Sequence, residues 1–593
     1  MPFDVFAICA HLLEISGAYH HILAKMPGRP KRVERQVNVT DAILDETARV
    51  AQAWRELDLK LLSPRKEKEY SRWIQQSGIR NLFEWWRELF VGAGDSLVFQ
   101  QLVSQSPPPH WWELALKLLM AADQAAAGAG FEVPIDPDAV RKKKLWFDGF
   151  LGDWFGYQLK KAEERVGGKR EDAHHPVSIT GFRTLSAMAG DLGAVLPKAR
   201  TPSVGCTVRS LSHHLALLPP RGVARGLWLP YAFSAAPPDE GHLNLLLIPF
   251  PYSIPAQAFG QACRETDCRV PWGFFEVSQA WLKPFSESTT RLVTFVEALI
   301  REAEKQVDQI HGIVFPELSL DDRCYGALET ALPRTFKSLE LLIAGVSRKT
   351  TDRRGNFVRM SLFQKDADGG EREHLWSERE KHHRWKLDAP QIKAYALEGR
   401  LSPAVGWWED IDLMSRRVDF AVFRRGSVIT GMICEDLARI DPCQELIRAI
   451  GPSLVVALLM DAPQLKVRWP ARYATILAED PGSAVLTLTS RGLMTRQHRF
   501  GSNQSRDVND RAIALWRDDL NSEPKELACG LGAQAIRLTV FGTKVVDCTL
   551  DGRTDETAVA WRYANHAPVS LPNGRTEYAD ILGEDDQFVN NCT

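Results

Sequence analysis

The feature that most constrains the fold is a series of short apolar runs after Gly241 that alternate with amphipathic segments. Between the runs, apolar residues at three- and four-residue steps predict helices, as in the segment from Leu292 to Val307. Strands this uniformly apolar are typical of sheets buried on both faces, so the sequence predicts a layered α/β domain over residues 241–550. The runs are Leu243–Ile248, Ile313–Phe315, Leu341–Val346, Val428–Ile433, Leu454–Leu459 and Val485–Leu488.

The chain on either side of this domain has a different pattern. Residues 1–165 contain amphipathic segments at helical spacing, one of them after the potential helix cap Thr40, and predict a mostly helical N-terminal domain. From residue 166 to 240, Gly, Pro, Ser and His become frequent, which indicates an irregular connecting region. Residues 551–593 are predicted to form a C-terminal tail.

Charge and composition exclude several classes of protein. The 73 Lys and Arg residues nearly balance 75 Asp and Glu, and a net charge of −2 argues against binding nucleic acid through bulk charge. The first residues lack a positively charged opening, and their apolar run is too short for a signal peptide or a membrane span. Ten cysteines in 593 residues are too few for a disulfide scaffold. We therefore expect a cytoplasmic protein with reduced thiols and without a membrane or nucleic-acid partner.

Two of the apolar runs end at residues that carry chemistry. HGIVFPELSL, beginning at His311, contains Glu317, and SVITGMICEDLAR, beginning at Ser427, contains Cys434. Reactive groups collect at the carboxyl ends of strands in α/β sheets, so this carboxylate and this thiol could meet in one cleft. Each residue alone also has a structural explanation. A strand can end in an acid where the chain leaves the core, and cysteine is often a small buried apolar residue.

A lysine-containing segment between these two motifs, EKHHRWKLDAPQ at residues 380–391, completes a characteristic order. FPE, then K-x-H, then GMICED resembles the nitrilase superfamily of carbon–nitrogen hydrolases, whose members use a Glu–Lys–Cys triad. The resemblance extends over Leu243–Val540, about half of the chain, and it implies an αββα sandwich for the α/β domain. It also implies a homo-oligomer.

The resemblance assigns the triad residue by residue. Glu317 and Cys434 match the first and third motifs directly. Lys381, in the K-x-H element, is the favoured lysine, and Lys386 in WKL is the alternative. The family often has a second glutamate shortly after its lysine; here Glu398 is possible but distant.

The chemistry of these residue types supports the same reading. A cysteine can attack an amide or nitrile carbon and split a difficult hydrolysis into two easier steps through a covalent intermediate. A glutamate can carry the proton in both steps, and a lysine can stabilise the negative oxygen of the tetrahedral intermediate. None of these roles requires a cofactor or metal. The adjacent histidine pairs, such as His382–His383, lack a partner at metal-ligand spacing, so we expect no metal site.

The sequence therefore predicts an amide-type carbon–nitrogen hydrolase that acts on a small-molecule amide or nitrile through a Cys434 acyl-enzyme. Two alternatives stay open. One is an acyltransferase of the same superfamily. The other is a non-catalytic sensing or assembly module with a helical effector or partner-binding region, such as one used in bacterial defence.

Overall fold

The structure is a computed structural model, and it describes most of the chain from residue 241 onward and parts of the chain before it. The described residues are 2–24, 36–55, 75, 77–98, 107–131, 194–219, 225–229, 241–262, 272–350, 354–363, 374–413, 416–424, 426–500, 511–530 and 532–583. Most of the predicted connecting region, and residues 584–593 of the predicted tail, lie outside these ranges.

An eight-stranded mixed sheet forms one half of the central domain. Its strands follow the order β13-β12-β11-β9-β6-β22-β25, with β10 paired to β11 beside this path. The strands are β6 (Gly241–Leu247), β9 (Gly312–Val314), β10 (Leu320–Asp321), β11 (Leu341–Lys349), β12 (Arg354–Phe363), β13 (His374–Glu380), β22 (Ala535–Lys544) and β25 (Val559–Val569).

A seven-stranded mixed sheet forms the other half, in the order β21-β20-β19-β18-β17-β16-β5. Its strands β17, β18 and β19 run parallel, so their carboxyl ends lie side by side at one edge. The strands are β5 (Arg225–Leu229), β16 (Arg417–Arg424), β17 (Ser427–Ile433), β18 (Leu454–Leu459), β19 (Ala484–Thr489), β20 (Ala512–Arg517) and β21 (Lys525–Ala528).

The two sheets pack face to face because their strands are apolar on both sides. In β6, Leu245 and Leu247 belong to the core between the sheets, whereas Leu246 belongs to a second core on the outer face. Gly431 of β17 shows how closely the sheets approach, since a Cβ there would lie 2.7 Å from the side chain of Val358 in β12. This alternation of faces accounts for the continuous apolar runs in the sequence.

Helices cover both outer faces, so the predicted αββα sandwich is confirmed. On the first sheet, two helices of fourteen residues each contribute apolar side chains to the outer core. The helices of the domain are α5 (Thr290–Ala303), α6 (Asp322–Thr335), α7 (Ala389–Ala394), α8 (Glu435–Ala438), α9 (Glu445–Ile450), α10 (Trp469–Glu479), α11 (Arg491–Phe500), α12 (Gly574–Glu577) and α13 (Ala579–Leu582). Of these, α10 packs against β19 and β20 on the second sheet.

The described part of the N-terminal region is mainly helical, and it shares the apolar core of the sandwich. Its helices are α1 (Pro2–Ile15), α2 (Asp41–Arg55), α3 (Ser77–Arg87) and α4 (His110–Ala125). Asp123 of α4 connects the two parts, because it accepts a hydrogen bond of 2.9 Å from Arg553 and others from the backbone at His213 and His214. The predicted helix start after Thr40 is also present, with the Thr40 hydroxyl accepting from the Ile43 amide at 3.4 Å.

Small sheets complete the described structure. A four-stranded sheet, in the order β14-β15-β8-β7, lies beside the sandwich and places one residue of the site described below. The remaining strands are β1 (Ile22–Ala24), β2 (Val37–Val39), β3 (Ala194–Pro197), β4 (Leu215–Leu218), β7 (Phe259–Gln261), β8 (Trp272–Val277), β14 (Lys386–Leu387), β15 (Gly406–Glu409), β23 (Asp547–Cys548) and β24 (Thr554–Asp555).

Two strands of the sandwich lie outside the predicted range of residues 241–550. β5 precedes the range and β25 follows it, and each is the terminal strand of its sheet. A terminal strand is covered less completely than a central one, and β25 has five half-buried residues and one exposed residue at its centre. Its sequence therefore lacks the continuous apolar run by which the other strands were recognised. Within the described residues, no helix is long and apolar enough to cross a membrane.

Candidate active site

Glu317 lies three residues beyond the end of β9 at Val314, on the turn that follows this strand. Close packing holds this turn in place: a Cβ at Gly345 of the neighbouring strand would collide with the Glu317 backbone, so only glycine fits there. The Gly345 amide donates to the Pro316 carbonyl at 3.1 Å, and Leu318 adopts a left-handed φ of 56°. The Glu317 side chain is completely buried as a result.

Lys381 lies directly against Glu317. Its Nζ atom is 2.7 Å from Oε1 of Glu317 and 2.7 Å from Oε2 of Glu409. The lysine backbone is fixed as well, since the Lys381 amide donates to the Asn356 carbonyl at 2.8 Å. The Asn356 side chain donates to the same two carboxylates, at 2.8 Å and 3.0 Å. A buried ammonium and a buried amide therefore hold two carboxylates in one hydrogen-bonded group.

The two candidate lysines are clearly separated by the structure. The sequence left Lys381 and Lys386 open, and only Lys381 contacts Glu317. Lys386 lies in β14 with an exposed side chain, and its ammonium is 5.2 Å from the centre of the Trp408 ring. The exposed side chain of Lys386 therefore lies outside the buried group.

The second glutamate that contacts Lys381 is Glu409, and not the candidate Glu398. Glu398 is exposed on a turn, whereas Glu409 is buried at the end of β15 and contacts Lys381. Glu409 also accepts from the Trp385 amide at 3.0 Å, which ties it to the chain just after Lys381. The sequence signal that could have found it is an acid at the end of an apolar strand, the same signal that identified Glu317.

Cys434 lies at the end of β17, at the sharp turn into α8. The residue has φ 42° and ψ −112°, a backbone conformation that residues other than glycine rarely adopt. Its amide donates to the Leu458 carbonyl of β18 at 2.9 Å, so the turn is fastened to the neighbouring strand. Backbone strain of this kind persists where the surrounding structure enforces it, which is common at reactive residues.

The charges of Glu317 and Lys381 both act on the Cys434 thiol. Burial raises the pKa of Cys434 well above its ordinary value; Glu317 raises it further, and Lys381 opposes the rise. Burial also raises the pKa of Glu317, against the opposing effect of Lys381. For Lys381, burial alone would lower the pKa, but Glu317 and Glu409 together raise it well above its ordinary value. The resting group therefore contains an ammonium and a protonated thiol.

One oxygen of Glu317 is left without a hydrogen bond. Oε1 accepts from both Lys381 and Asn356, whereas Oε2 is buried and has no partner among the described residues. A buried carboxylate oxygen without a hydrogen-bond donor destabilises the folded state, unless a substrate group or another donor binds to it. The same carboxylate that is held rigidly by one oxygen thus has the other oxygen free to accept a proton.

A second buried network holds the lysine segment against the cysteine turn. Asp436 of α8 accepts from Arg379 at 2.8 Å and from the backbone amides of His382 and His383. Burial alone would raise the pKa of Asp436, but the Arg379 guanidinium and a hydrogen bond from the His383 ring hold it well below its usual range. Asp436 therefore connects the chain after Lys381 to the helix after Cys434.

Replacing Asp436 by asparagine is expected to destabilise the protein by about 3–5 kcal/mol, because Arg379 would stay buried without its counter-ion. Asp580→Asn is the control: its pair with Arg291 is exposed, and such pairs contribute about 0–1 kcal/mol. Thermal unfolding of both variants measures the difference. Because the Asp436 pKa is depressed on folding, its contribution is complete above the unfolded value and lost as pH falls through the folded value. Equal melting temperatures for the two variants at neutral pH would contradict this assignment.

The same network brings three potential metal ligands together. Atoms of His382, Asp436 and Cys443 lie within 4.8 Å of one another. Hydrogen bonds and an ion pair account for this proximity. His382 Nδ1 is 3.1 Å from the Cys443 sulfur, and its Nε2 is hydrogen-bonded to the backbone at Arg417. Asp436 is paired with Arg379. Burial and the charge of Arg379 lower the pKa of His382 to about 3, so its ring is neutral.

Comparison with known proteins gave matches to solved structures only; protein-family profiles and curated proteins gave none. Nit3 of Saccharomyces cerevisiae, a member of branch 10 of the nitrilase superfamily, is 11% identical with a TM-score of 0.27, over 60% of this chain and 100% of its own. A CN-hydrolase superfamily protein from Xanthomonas campestris is 11% identical, with a TM-score of 0.25 over 58% of this chain and 98% of its own.

An amidase of the nitrilase superfamily from Nesterenkonia is 14% identical, with a TM-score of 0.25 over 58% of this chain and 95% of its own. With identities this low, conclusions about function rest on the side chains of this chain. Among those side chains, Lys381 contacts Glu317 directly, and the charges of both act on the buried Cys434 thiol. The described part of the chain from residue 225 to 569 therefore forms an αββα sandwich that contains a buried glutamate, lysine and cysteine near strand ends of its two sheets.

Proposed function

We propose that this chain hydrolyses an amide-type carbon–nitrogen bond through a covalent Cys434 acyl-enzyme. The observation that carries the proposal is the divided Glu317 carboxylate, with one oxygen held by Lys381 and Asn356 and the other buried without a partner. A purely structural carboxylate would be expected to have both oxygens satisfied. A general base needs one oxygen fixed for orientation and the other free for the proton.

Acylation begins with the Cys434 thiol. Its raised pKa means that it rests as the neutral thiol, so the proton must leave as the sulfur attacks. Glu317 accepts this proton while the sulfur–carbon bond forms at the amide carbonyl. When the tetrahedral intermediate collapses, the carbon–nitrogen bond breaks and Glu317 returns the proton to the departing amine. The product of this half-reaction is a thioester on Cys434.

Hydrolysis of the thioester reverses the proton transfers. Glu317 accepts a proton from water as the water oxygen attacks the acyl carbon. The carbon–sulfur bond then breaks, the carboxylic acid leaves, and the proton returns to the Cys434 sulfur. The raised pKa of Glu317 suits both halves of the cycle, because a stronger base takes the proton of the thiol or of water more readily.

Lys381 has the role of stabilising negative charge. Its ammonium lies between two carboxylates and keeps its proton, so it can stabilise the oxygen anion of each tetrahedral intermediate together with the backbone N–H after Cys434. Glu317 and Lys381 are completely buried, and Cys434 is 4% exposed. We therefore expect substrate to reach the group from the side of the cysteine.

The test is the release of ammonia from four simple amides, acetamide, butyramide, glutamine and asparagine, with butyronitrile as a nitrile. Release from any of them that depends on both Cys434 and Glu317 supports the proposal. Hydrolysis that survives replacement of either residue, or full biological activity of a Cys434→Ala protein, would instead favour a non-catalytic role for the region.

Lys381 and Lys386 offer a matched pair of variants. We expect Lys381→Gln to lower kcat/KM by about 10²–10³-fold, the usual effect of losing one donor to an oxyanion. Lys386→Gln should stay within about twofold of the wild type, because its side chain is exposed and outside the group. Steady-state kinetics on the amide hydrolysed fastest measures both. A loss in Lys386→Gln as large as that in Lys381→Gln would show that the wrong lysine was assigned.

A further inference from the structure

A second buried carboxylate, Asp461, lies beside the nucleophile without a role in the proton transfers. It follows the end of β18, the strand whose Leu458 carbonyl accepts from the Cys434 amide. On its other side, the Asp461 amide and carbonyl are hydrogen-bonded to the Thr489 hydroxyl at 3.0 Å and 2.6 Å. Asp461 therefore sits at the same sheet edge as Cys434, where parallel strands present reactive and ligand-binding groups.

The two oxygens of Asp461 have different surroundings. Oδ1 accepts from Arg468 at 3.0 Å, whereas Oδ2 is buried and has no hydrogen-bond partner among the described residues. The residue as a whole is only 7% exposed. The ion pair with Arg468, the residue just before α10, accounts for Oδ1 and leaves Oδ2 able to accept a hydrogen bond.

The environment of this oxygen favours a cation. Burial raises the pKa of Tyr395, and the charge of Asp461 is the next largest cause, so the two side chains lie near each other. Burial raises the pKa of Cys434; Glu317, Asp461 and Glu435 raise it further, and Lys381 opposes the rise. Arg468 pairs with Oδ1 of Asp461 and Arg439 pairs with Glu435, so Oδ2 of Asp461 is the carboxylate oxygen left to attract a positively charged group.

We propose that Asp461 binds a positively charged group of the substrate, an ammonium or an amidinium, and so selects amides that carry a cation near the bond to be cleaved. A charge-assisted hydrogen bond to Oδ2 would satisfy the one oxygen that the protein leaves open. The choice of amides as substrates rests on the proposed function. Binding of a cation next to Cys434 does not, and the two can be tested separately.

The first test measures thiol modification and needs no turnover. The probes are two methanethiosulfonates of the same length, the cationic 2-aminoethyl and the neutral propyl reagent. Each forms a disulfide with the cysteine sulfur as its own sulfur–sulfonyl bond breaks, releasing methanesulfinate and the thiol proton. Tryptic cleavage places Cys434 on the peptide Gly426–Arg439 and the exposed Cys548 on Val545–Arg553, so one sample reports both.

The measured quantity is the rate of modification by the cationic reagent divided by that of the neutral reagent. This ratio is expected to be about 10–100-fold larger at Cys434 than at Cys548, the range for a hydrogen bond between charged groups. Asp461→Asn should abolish this preference, since it keeps an acceptor for Arg468 and removes the charge. Glu435→Gln is the control, because Glu435 also acts on Cys434 but is half-buried and paired with Arg439. Equal preferences at Cys434 and Cys548 in the wild type would overturn the inference, as would equal losses in the two variants.

The second test compares 4-aminobutanamide with pentanamide, in which a methyl group replaces the ammonium. The wild type is expected to favour the cationic amide in kcat/KM by about 10–100-fold, and Asp461→Asn to lose that preference while still hydrolysing pentanamide. Hydrolysis of both amides without preference would overturn this inference and leave the hydrolase standing. Cation-selective modification of Cys434 without hydrolysis of either amide would support cation binding by Asp461 and contradict the proposed hydrolase.

Discussion

Replacing Cys434 by alanine is expected to lower the rate of amide hydrolysis by about 10⁴–10⁶-fold, as removal of a covalent nucleophile does in other enzymes. The size of the effect follows from the chemistry, because the remaining Glu317 and Lys381 have no sulfur to which the acyl group can be transferred. Ammonia release from the amide hydrolysed fastest by the wild type measures it. Acyl transfer to hydroxylamine should disappear in parallel, since both reactions use the same thioester.

Cys548→Ala is the matched control for this variant. Cys548 is exposed in a short outer strand, so its replacement should leave the rate unchanged. Melting temperatures of the two variants show whether Cys434→Ala is folded. A folded Cys434→Ala protein that hydrolyses the amide within tenfold of the wild-type rate would rule out the acyl-enzyme.

Glu317→Gln is expected to lower kcat by about 10²–10⁴-fold, the usual contribution of a positioned general base. Glutamine preserves the shape of the side chain and can still accept from Lys381 and Asn356 through its amide oxygen. What it loses is the free basic oxygen. Glu398→Gln is the control, because Glu398 is exposed and should be replaceable without effect. A Glu317→Gln enzyme with the wild-type kcat would show that the proton goes elsewhere.

The pH dependence of kcat/KM gives an independent test of Glu317. Burial raises the pKa of this carboxyl, so the group takes up a proton at a higher pH than an exposed glutamate. The base must be ionised to act, so activity should be complete above the raised pKa and lost as pH falls through it. The acid limb should therefore lie above the ordinary glutamate range. An acid limb that is identical in the wild type and in Glu317→Gln would assign it to another group.

Much of the fold followed from the apolar runs, because a strand buried on both faces requires apolar residues at every position. The central strands β6, β11, β17, β18 and β19 all match runs recognised in the sequence. The terminal strands β5 and β25 did not, since partial exposure replaces a continuous run with a broken one. For that reason β5 and β25 lie outside the range of residues 241–550 predicted for the α/β domain.

The candidate site was predictable to the extent that it depends on strand ends. Glu317 and Cys434 are marked by the apolar strands before them, and Lys381 by its place in a motif order. Glu409 and Asn356 were not found: Glu409 does end an apolar strand, but the contacts of both residues with the site depend on which strands pair across long stretches of chain. Local patterns show that a strand ends, and they do not show what lies opposite that end.

The most direct test of the central claim is acylation of Cys434 by p-nitrophenyl butyrate, whose good leaving group makes hydrolysis of the thioester the slow step. Acid-quenched samples are digested with trypsin, and the butyryl group is located by mass spectrometry. The proposed mechanism requires a burst of nitrophenol and a butyryl group on the peptide Gly426–Arg439, in an amount close to one per chain. Without a burst, and with that peptide unmodified at every quench time, Cys434 would not be the nucleophile of this protein.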